Sequence, residues 1–416
     1  MATRDYKLIS ADSHLSLPPG FFQRYLPEAY RDHDWVKMVE AGSKQSLKAA
    51  GMGLAHMAGR RYEDFKEKDI TEDEIRVGAF ESDARLKDMD LDGVDAEVLI
   101  SGGAVPTGAG VDVAFQRSVI QSYNNFLSEF CQADLQRLIG PATVPFDNPE
   151  LALEEMKRAA RLPGIRAFLF DAFPAVNYWD EMYEPFWQVA DDLGYPIHFH
   201  IGAPRSNAFT MGSLAPNQQG TAMSFISLSP LGLAETLAIV LFSGVPERYP
   251  NIRFVFTEAG VSWLIYYRDR ADDTFRKHRF WTKSELKEKP SFYIDRQVVN
   301  TFIHENAAIR LRHEVGLANM MWSTDYPHSD STWPHSWKYI DEAFAGVPDD
   351  ERAQLLAGTA IEHYRLEGAP PGSVRGSPKA ARTLLSKRVM ARIRSPVRLN
   401  TSSPKAWRAP PAGSRR

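Results

Sequence analysis

Polar side chains that can bind a cation or move a proton stand at the ends of four apolar stretches of this chain. They are Asp12 and His14 after KLISA, His198 and His200 in PIHFH, Glu258 after FVFT, and Asp325 after MMWST. Alternate side chains of a strand share one face, so the members of each of the first two pairs point the same way. Carboxylates and imidazoles in this pattern are ligands for a divalent metal such as zinc. A metal would also explain the acid at the end of FVFT, because an unpaired buried carboxylate is costly.

The elements that must position these residues alternate between short apolar strands and helical patterns. The strand candidates are KLISADSH, AEVLISGG, LIGPATVPF, GIRAFLFDAF, YPIHFHIG, IRFVFTEAG, RQVVNTFIH and ANMMWSTDYPH. Strand–helix alternation indicates a parallel sheet, and eight such units predict a closed (β/α)8 TIM barrel. The active site of such a barrel lies where the carboxyl ends of its strands meet. A doubly wound open sheet is the alternative, although no Gly-rich dinucleotide turn follows the first strand.

Two segments interrupt this alternation of strands and helices. Residues 34–80 separate the first two strand candidates by far more than a usual loop, so we predict an insertion that forms a lid over the barrel mouth. A solvated excursion without a role is the alternative. Residues 370–416 hold 12 of the 49 Lys and Arg residues, no Asp or Glu, and many Pro and Ser. This composition predicts a disordered basic tail beyond a barrel domain of residues 1–369, and we favour a solvated appendage over an anion-binding helix.

Composition limits the class of function. Without the tail the chain carries 37 basic against 53 acidic residues, and an acidic body argues against a nucleic-acid partner. Cys131 is the single cysteine, so no internal disulfide forms, which fits a reducing compartment. The first residues, MATRDYKLISADSH, lack the apolar region of a secretory signal. The run SFISLSPLGLAETLAIVLFSGV is interrupted by Pro230, Gly232 and Glu235 and predicts a core helix rather than a membrane span. We therefore expect a cytoplasmic protein that acts on a small molecule without integral membrane association.

Several of these motifs resemble the amidohydrolase superfamily. The segments that carry the resemblance are DSH at the end of the first strand, IHFHIG, WSTDYPHSDSTWP, RLKDMDLDGVDAEVL and LFSGVPERYPNIRFVF. They are most similar to the amidohydrolase-related branch, which includes aminocarboxymuconate semialdehyde decarboxylase and similar decarboxylases and hydrolases. The resemblance spans residues 6–367 and leaves the basic tail outside. It implies a metal-dependent enzyme on a TIM barrel, and by analogy a homodimer.

The resemblance also implies roles for particular residues. Asp12, His14, His200 and Asp325 fall on the metal ligands of the family, and Asp325 would also handle the proton of an attacking water. The same four follow from convergence of the strand ends in a barrel. His198 is expected one layer deeper, as a hydrogen-bonded interior histidine, with substrate contact as the alternative. The metal is expected to be zinc, with manganese or iron open, because O and N ligands suit all three.

One position departs from the family pattern, and further residues are candidates for substrate binding. The decarboxylases have a histidine at the end of the sixth strand, where this chain has Glu258. His328 lies three residues past Asp325 and is a candidate for contact with the substrate or for support of a ligand. Arg60 and Arg61 of the insertion are candidates to clamp a carboxylate, against the simpler interpretation of surface charges. Trp333 is a candidate wall of the pocket, against simple packing.

Two reactions fit this set of residues. In hydrolysis a metal-activated water attacks the substrate, Asp325 takes and returns its proton, and Glu258 binds the metal or orients the water. In non-oxidative decarboxylation the metal holds the substrate carboxylate and a proton is delivered to carbon as CO₂ leaves. Glu258 favours hydrolysis, because a glutamate must have its pKa raised to donate a proton and a cation opposes this. We therefore expect a hydrolase of a small, carboxylated substrate, with a carboxy-lyase as the alternative. A non-enzymatic barrel with a structural metal is disfavoured, because structural zinc sites are closed and rich in cysteine.

Overall fold

Eight parallel strands form one sheet in chain order, from β1 to β8. The computed structural model of the protein describes residues 4–46, 54–66, 70–101, 111–145, 148–172, 174, 176–201 and 219–366. The strands within these residues are β1 (Ile9–Leu15), β2 (Ala96–Ser101), β3 (Leu138–Thr143), β4 (Ile165–Phe170), β5 (Ile197–His200), β6 (Phe254–Thr257), β7 (Val298–Phe302) and β8 (Met320–Trp322). Each strand coincides with one of the eight predicted apolar runs. The predicted TIM barrel is confirmed, and the open-sheet alternative is wrong.

The barrel closes between its first and last strands at the end that carries the candidate ligands. Ser13 forms a parallel bridge with Tyr326. The amide of His14 donates to the carbonyl of Tyr326 at 2.6 Å, and the amide of Asp325 donates to the carbonyl of Asp12 at 2.9 Å. The register of β1 against β2 shifts between Ser10 and Ser13, which is a bulge at the position of Asp12. Bulges re-aim side chains at the rims of barrels.

Helices surround the sheet on its outer side. Those within the described residues are α1 (Phe21–Tyr25), α2 (Glu28–Arg31), α3 (Asp34–Ser46), α4 (Ser82–Asp92), α5 (Val113–Cys131), α6 (Pro149–Ala159), α7 (Glu184–Leu193), α8 (Gln219–Phe242), α9 (Val245–Arg248), α10 (Trp263–Thr282), α11 (Pro290–Gln297), α12 (Asn306–Arg310), α13 (Arg312–Val315), α14 (Ser336–Ala343), α15 (Asp349–Ala353) and α16 (Thr359–Tyr364). Most of the apolar run predicted to be a helix lies in α8. Among the described residues no helix combines the length and the apolar character that a bilayer crossing requires.

The predicted insertion lies between β1 and β2. Its described parts are α3 and four short 3₁₀ helices, Leu54–His56, Tyr62–Asp64, Glu72–Glu74 and Val77–Ala79. Residues 47–53 and 67–69 of the insertion lie outside the described residues, as does the basic tail. The described part is tied to the barrel at the end that carries the candidate ligands, where the amide of Ala58 donates to the carbonyl of Pro327 at 3.1 Å. The role of this segment as a lid remains a prediction.

Candidate metal centre

Asp12, His14 and Asp325 meet where β1 and the end of β8 close the barrel. Nε2 of His14 lies 2.9 Å from Oδ1 of Asp325 and 3.6 Å from Oδ1 of Asp12. The two carboxylates are 0% and 1% exposed, and the imidazole is 4% exposed. The bridge between the first and last strands therefore brings Asp12 and His14 together with Asp325, which lies more than 300 positions further along the chain.

His200 and Glu258 complete the group from the neighbouring ends of β5 and β6. Nε2 of His200 lies 3.1 Å from Oε2 of Glu258 and 4.0 Å from Oδ1 of Asp12. Nδ1 of His200 is 2.8 Å from the carbonyl of Ile201, so Nε2 is the nitrogen that faces the group. A histidine that gives one nitrogen to a carbonyl and turns the other inward has the usual orientation of a metal-ligating imidazole.

The unsatisfied atoms of this group show that it fits a cation. Both carboxylate oxygens of Asp12, Nε2 of His14, Nε2 of His200 and Oδ1 of Asp325 are buried and make no hydrogen bond of good geometry, although the two histidine nitrogens lie within 3.1 Å of carboxylate oxygens. Ligand atoms of Asp12, His14, His200 and Glu258 all lie within 4.8 Å of one another. Lone pairs that converge without donors to pair with them are costly in a buried site unless a cation binds there. The mixture of oxygen and nitrogen donors suits zinc, manganese or iron.

Two of the carboxylates are carried by left-handed backbone. The φ angles of Glu258 and Asp325 are 61° and 57°. Such angles are uncommon for residues with a side chain and persist where surrounding contacts hold them. The amide of Glu258 donates to Oγ1 of Thr301 at 2.7 Å, and the amide of Asp325 donates to the carbonyl of Asp12. Each acid therefore leaves its strand in a sharp turn whose first amide is anchored on the adjacent strand.

The turn after Glu258 is held by further contacts from β7 and its loop. Glu305 accepts hydrogen bonds from the amides of Val261 and Ser262, both at 2.8 Å. The side-chain amide of Asn300 donates to the carbonyl of Gly260 at 2.8 Å. Gly260 itself has φ 64°, which glycine adopts without strain. Polar residues inside the apolar run RQVVNTFIHE were the sequence signal for this support, although their partners could not be read from it.

The pKa values of the three acids in this group do not all shift in the same direction. Burial raises the pKa of Asp12 well above its usual range, and the charges of Asp325 and Glu258 raise it further. Burial also raises the pKa of Glu258, and Asp325 adds to this against the effect of His200. Asp325 is the exception, because His328 and His14 outweigh the effect of burial and hold its pKa below the usual range. Among the protein groups alone, Asp325 is thus the permanent anion, and Asp12 and Glu258 resist ionisation.

The pKa values of His14 and His200 also shift in opposite directions. Burial, followed by repulsion from His328, lowers the pKa of His14 to about 3. A neutral His14 is the form that binds a metal. Burial opposes protonation of His200, but the bond and charge of Glu258 outweigh it and raise the pKa of His200 to about 9. A bound cation would compete for the same nitrogen, so His200 must lose its proton when it acts as a ligand.

His328 lies directly beside the ligand group. Its Nδ1 is 3.1 Å from Oδ1 of Asp325, and its ring stacks on that of His14 with centroids 3.7 Å apart. Burial opposes its charged form, but the Asp325 carboxylate outweighs burial and raises the pKa of His328. The side chain is 27% exposed, so it sits at the open side of the group. This position suits contact with a substrate as well as support of Asp325.

The other residues named from the sequence lie elsewhere. His198 is fully buried, with Nδ1 2.9 Å from the hydroxyl of Thr257 and Nε2 2.9 Å from the hydroxyl of Tyr364, so protein partners use both ring nitrogens. Arg61 forms two hydrogen bonds with Asp64, at 2.8 and 2.9 Å, and is 77% exposed.

Arg60 and Trp333 also have partners outside the ligand group. Arg60 pairs with Glu74 at 3.3 Å. The indole of Trp333 is buried, donates to the carbonyl of Asp88 at 2.9 Å and lies 4.0 Å beneath the guanidinium of Arg76. A substrate contact of Arg60, Arg61 or Trp333 therefore remains a prediction that needs a rearrangement of these pairs.

A buried ion pair behind β1 was not anticipated from the sequence. Arg85 of α4 is 0% exposed, bonds Glu97 of β2 at 2.7 Å and donates to the carbonyl of Gly78 at 2.6 Å. Its second terminal nitrogen bonds the carbonyl of His14, and its guanidinium lies 4.6 Å from the ring of Tyr326. The pair therefore fixes the backbone of one ligand from behind. An acid at the start of AEVLIS, inside an apolar strand, was the available signal.

Comparisons with known proteins concern the family and the fold of this chain. A model of the amidohydrolase family matches residues 11–366. Gamma-resorcylate decarboxylase of Polaromonas sp. (strain JS666 / ATCC BAA-500) is 25% identical over 311 residues, which cover 68% of this chain and 87% of that protein. The 2-amino-3-carboxymuconate-6-semialdehyde decarboxylase of Dictyostelium discoideum is 22% identical over 304 residues, covering 71% and 79%.

A solved structure extends the likeness to the fold. The crystal structure of a dihydroxybenzoic acid decarboxylase from Polaromonas sp. JS666, with bound manganese and the inhibitor 2-nitroresorcinol, matches with a TM-score of 0.58 and 20% identity. The match covers 88% of this chain and 98% of that one. Identity at this level shows a shared barrel and no more.

Proposed function

The chain belongs to the amidohydrolase family, and from that premise we propose that it is a metal-dependent carboxy-lyase. Its substrate would be a small aromatic or similarly unsaturated acid that loses CO₂ without an oxidant. The observation that carries the proposal is the buried group of unpartnered O and N donors beside Glu258, an acid whose pKa is raised by burial. The reaction needs a cation site and a proton donor, and the raised pKa of Glu258 favours the protonated form that a donor needs. The relatives named as decarboxylases support the same choice, although the glutamate in place of a histidine favours hydrolysis.

In the proposed reaction the protein forms no covalent bond with the substrate carbon and only delivers a proton to it. The bond between the substrate carbon and its carboxylate breaks, the electron pair stays on that carbon, one proton is delivered to it, and CO₂ leaves. A divalent cation held by Asp12, His14, His200 and Asp325 would supply positive charge for the substrate carboxylate and a neighbouring oxygen. Glu258 lies beside this position and is the proposed proton donor. A proton donor in place contributes about 10²–10⁴-fold to the rate.

The sequence argued against Glu258 as a proton donor, because a glutamate needs a raised pKa for that role. The structure weakens this argument. A donor must be protonated near neutral pH, and both burial and the fixed charge of Asp325 favour that form of Glu258. His200 and a bound cation oppose it. His328 would assist by binding the substrate at the open side of the group.

Substitution of Glu258 tests the assignment. Glu258→Gln keeps the shape and removes the proton, so kcat for CO₂ release should fall by about 10²–10⁴-fold. Glu258→His should recover part of the rate, because imidazole can carry the same proton. His328→Asn is the neighbouring control and should raise KM more than it lowers kcat. Full activity in Glu258→Gln would show that another group donates the proton.

The identity of the cation is a separate proposal. The donor set does not choose between zinc and manganese. The manganese in the related dihydroxybenzoic acid decarboxylase makes manganese as strong a candidate as the zinc expected from the sequence. Metal analysis of the purified protein, followed by chelation and reloading with each ion, separates the two.

Hydrolysis is the second candidate, and the carboxylate at the end of β6 favours it. Asp325 is anionic at neutral pH because His328 and His14 hold its pKa low, so it could accept a proton from an attacking water. In this reaction Glu258→Gln would cost less than Asp325→Asn. In the carboxy-lyase both substitutions would be severe, because one removes the proton donor and the other a proposed ligand.

A further inference from the structure

A buried histidine of the insertion is unexplained by the metal centre. His56 ends the short 3₁₀ helix Leu54–His56, is 4% exposed, and its Nδ1 has no hydrogen-bond partner. A buried polar atom left unpaired is destabilising, so such atoms need an explanation. Burial, with a contribution from His328, lowers the pKa of His56 to about 4, and its ring is therefore neutral.

The position of His56 connects it to the metal centre. Two residues further on, the amide of Ala58 donates to the carbonyl of Pro327 at 3.1 Å. Ala58 also packs against Tyr326 and Trp333 in one small buried cluster. Pro327 stands between Asp325 and His328, so the insertion is fastened to the loop that carries these two groups. The repulsion between His56 and His328 agrees with this placement.

We propose that His56 is a substrate-binding residue whose unpaired ring nitrogen bonds a hydroxyl group that neighbours the carboxylate of the substrate. This inference rests on the proposed carboxy-lyase function and deepens it. A neutral imidazole offers one donor and one acceptor, which matches a hydroxyl group, whereas a second carboxylate would call for a cation. The nitrogen is buried, so the partner that we assign to it is a group enclosed together with it.

Two other buried histidines sharpen the assignment. His198 is equally enclosed, yet both of its nitrogens have protein partners, as a structural histidine requires. His363 of α16 also has an unpartnered nitrogen, Nε2, but its ring lies near Arg253 and bonds the backbone of Ala318, and these two residues precede β6 and β8 at the opposite end of the barrel. His363 is therefore a matched control in burial and chemistry that lies far from the proposed site.

The test uses ligands that cannot react. Nitrobenzene, 2-nitrophenol and 2-nitroresorcinol differ by one hydroxyl each beside the nitro group and carry no carboxylate to lose. Their dissociation constants are measured by calorimetry on the manganese-loaded full-length protein and on three variants, His56→Phe, His56→Asn and His363→Phe. CO₂ release from the corresponding hydroxybenzoates is measured separately.

We expect affinity in the unmodified protein to rise by about 10-fold or more from 2-nitrophenol to 2-nitroresorcinol, the worth of one good hydrogen bond for the hydroxyl that the cation does not hold. His56→Phe should reduce this gain to about 2-fold, and His56→Asn, which keeps a polar atom near the position of Nδ1, should retain part of it. His363→Phe should leave the gain unchanged. An equal gain in His56→Phe, a loss of the same size in His363→Phe, or no gain in the unmodified protein would overturn the inference. A normal hydroxyl gain without CO₂ release would instead refute only the carboxy-lyase.

Discussion

Replacement of Thr301 by valine tests how the barrel holds its catalytic acid. The hydroxyl of Thr301 accepts the amide of Glu258 at 2.7 Å, and Thr301 is 0% exposed, so water cannot take its place. Valine keeps the shape and strand preference of threonine but cannot accept a hydrogen bond. An amide left unpaired in this position costs about 1–3 kcal/mol. The left-handed turn at Glu258, itself worth about 1 kcal/mol of strain, then loses its nearest anchor.

The expected result is a loss in both stability and rate. The free energy of unfolding in urea should fall by about 1–3 kcal/mol. A displacement of Glu258 by a fraction of an ångström should lower kcat for CO₂ release by about 10–100-fold, with a smaller change in KM. Thr301→Ser keeps the oxygen and is the matched control, with activity close to that of the unmodified enzyme. An unchanged kcat in Thr301→Val, or an equal loss in Thr301→Ser, would refute the idea that this hydrogen bond positions Glu258.

Three further predictions concern charge and metal. Burial raises the pKa of Asp92 to about 6 from 3.8, so the folded protein holds a proton there that the unfolded chain has lost. Its contribution, about 3 kcal/mol, is complete below pH 4 and disappears as the pH rises through 6, and Asp92→Asn should remove this part of the decline in a pH series of urea unfolding. Glu97→Gln leaves Arg85 as an uncompensated buried cation and should cost about 3–5 kcal/mol in the same assay. The exposed pair of the insertion serves as its control, because Asp64→Asn should leave the free energy of unfolding unchanged. Chelation should abolish CO₂ release, and reloading with manganese or zinc should restore it. Asp12→Asn should prevent this reloading. The same substitution should raise the thermal midpoint of the metal-free protein, because it removes a buried acid whose charged form is repelled by Asp325 and Glu258.

The fold was open to prediction because its signals are local. Each strand is a short apolar run bounded by helical patterns, and eight such units leave few topologies. The meeting of Asp12, His14, His200, Glu258 and Asp325 follows from the same pattern, since the carboxyl ends of barrel strands converge. Alternation of side chains was sufficient to place Asp12, His14 and His200 on the inner face, whereas Glu258 and Asp325 lie in the turns that follow their strands.

The remaining features depend on contacts that sequence spacing does not contain. Thr301 reaches Glu258 across a neighbouring strand, 43 positions away, and only the register of the barrel makes that pair. Arg60 and Arg61 have the right charge to hold a substrate carboxylate, but in the folded insertion they pair with Glu74 and Asp64. The sequence alone favours hydrolysis because it shows a glutamate where a histidine is expected. It cannot show that this glutamate is partly buried near a second acid, and that both effects favour its protonated form.

The most direct test of the proposed reaction is to follow the atoms. The metal-loaded enzyme is incubated with a panel of ortho-hydroxylated benzoic acids, and separately with their esters and amides, in D₂O that contains ¹⁸O-labelled water, and the products are analysed by mass spectrometry. A carboxy-lyase releases CO₂ and leaves one deuterium on the carbon that carried the carboxylate, with no ¹⁸O in the organic product. Glu258→Gln should suppress both signals together. Retention of the carboxylate across the panel, with ¹⁸O appearing instead in the product of a cleaved ester or amide substrate, would contradict the account and establish a hydrolase.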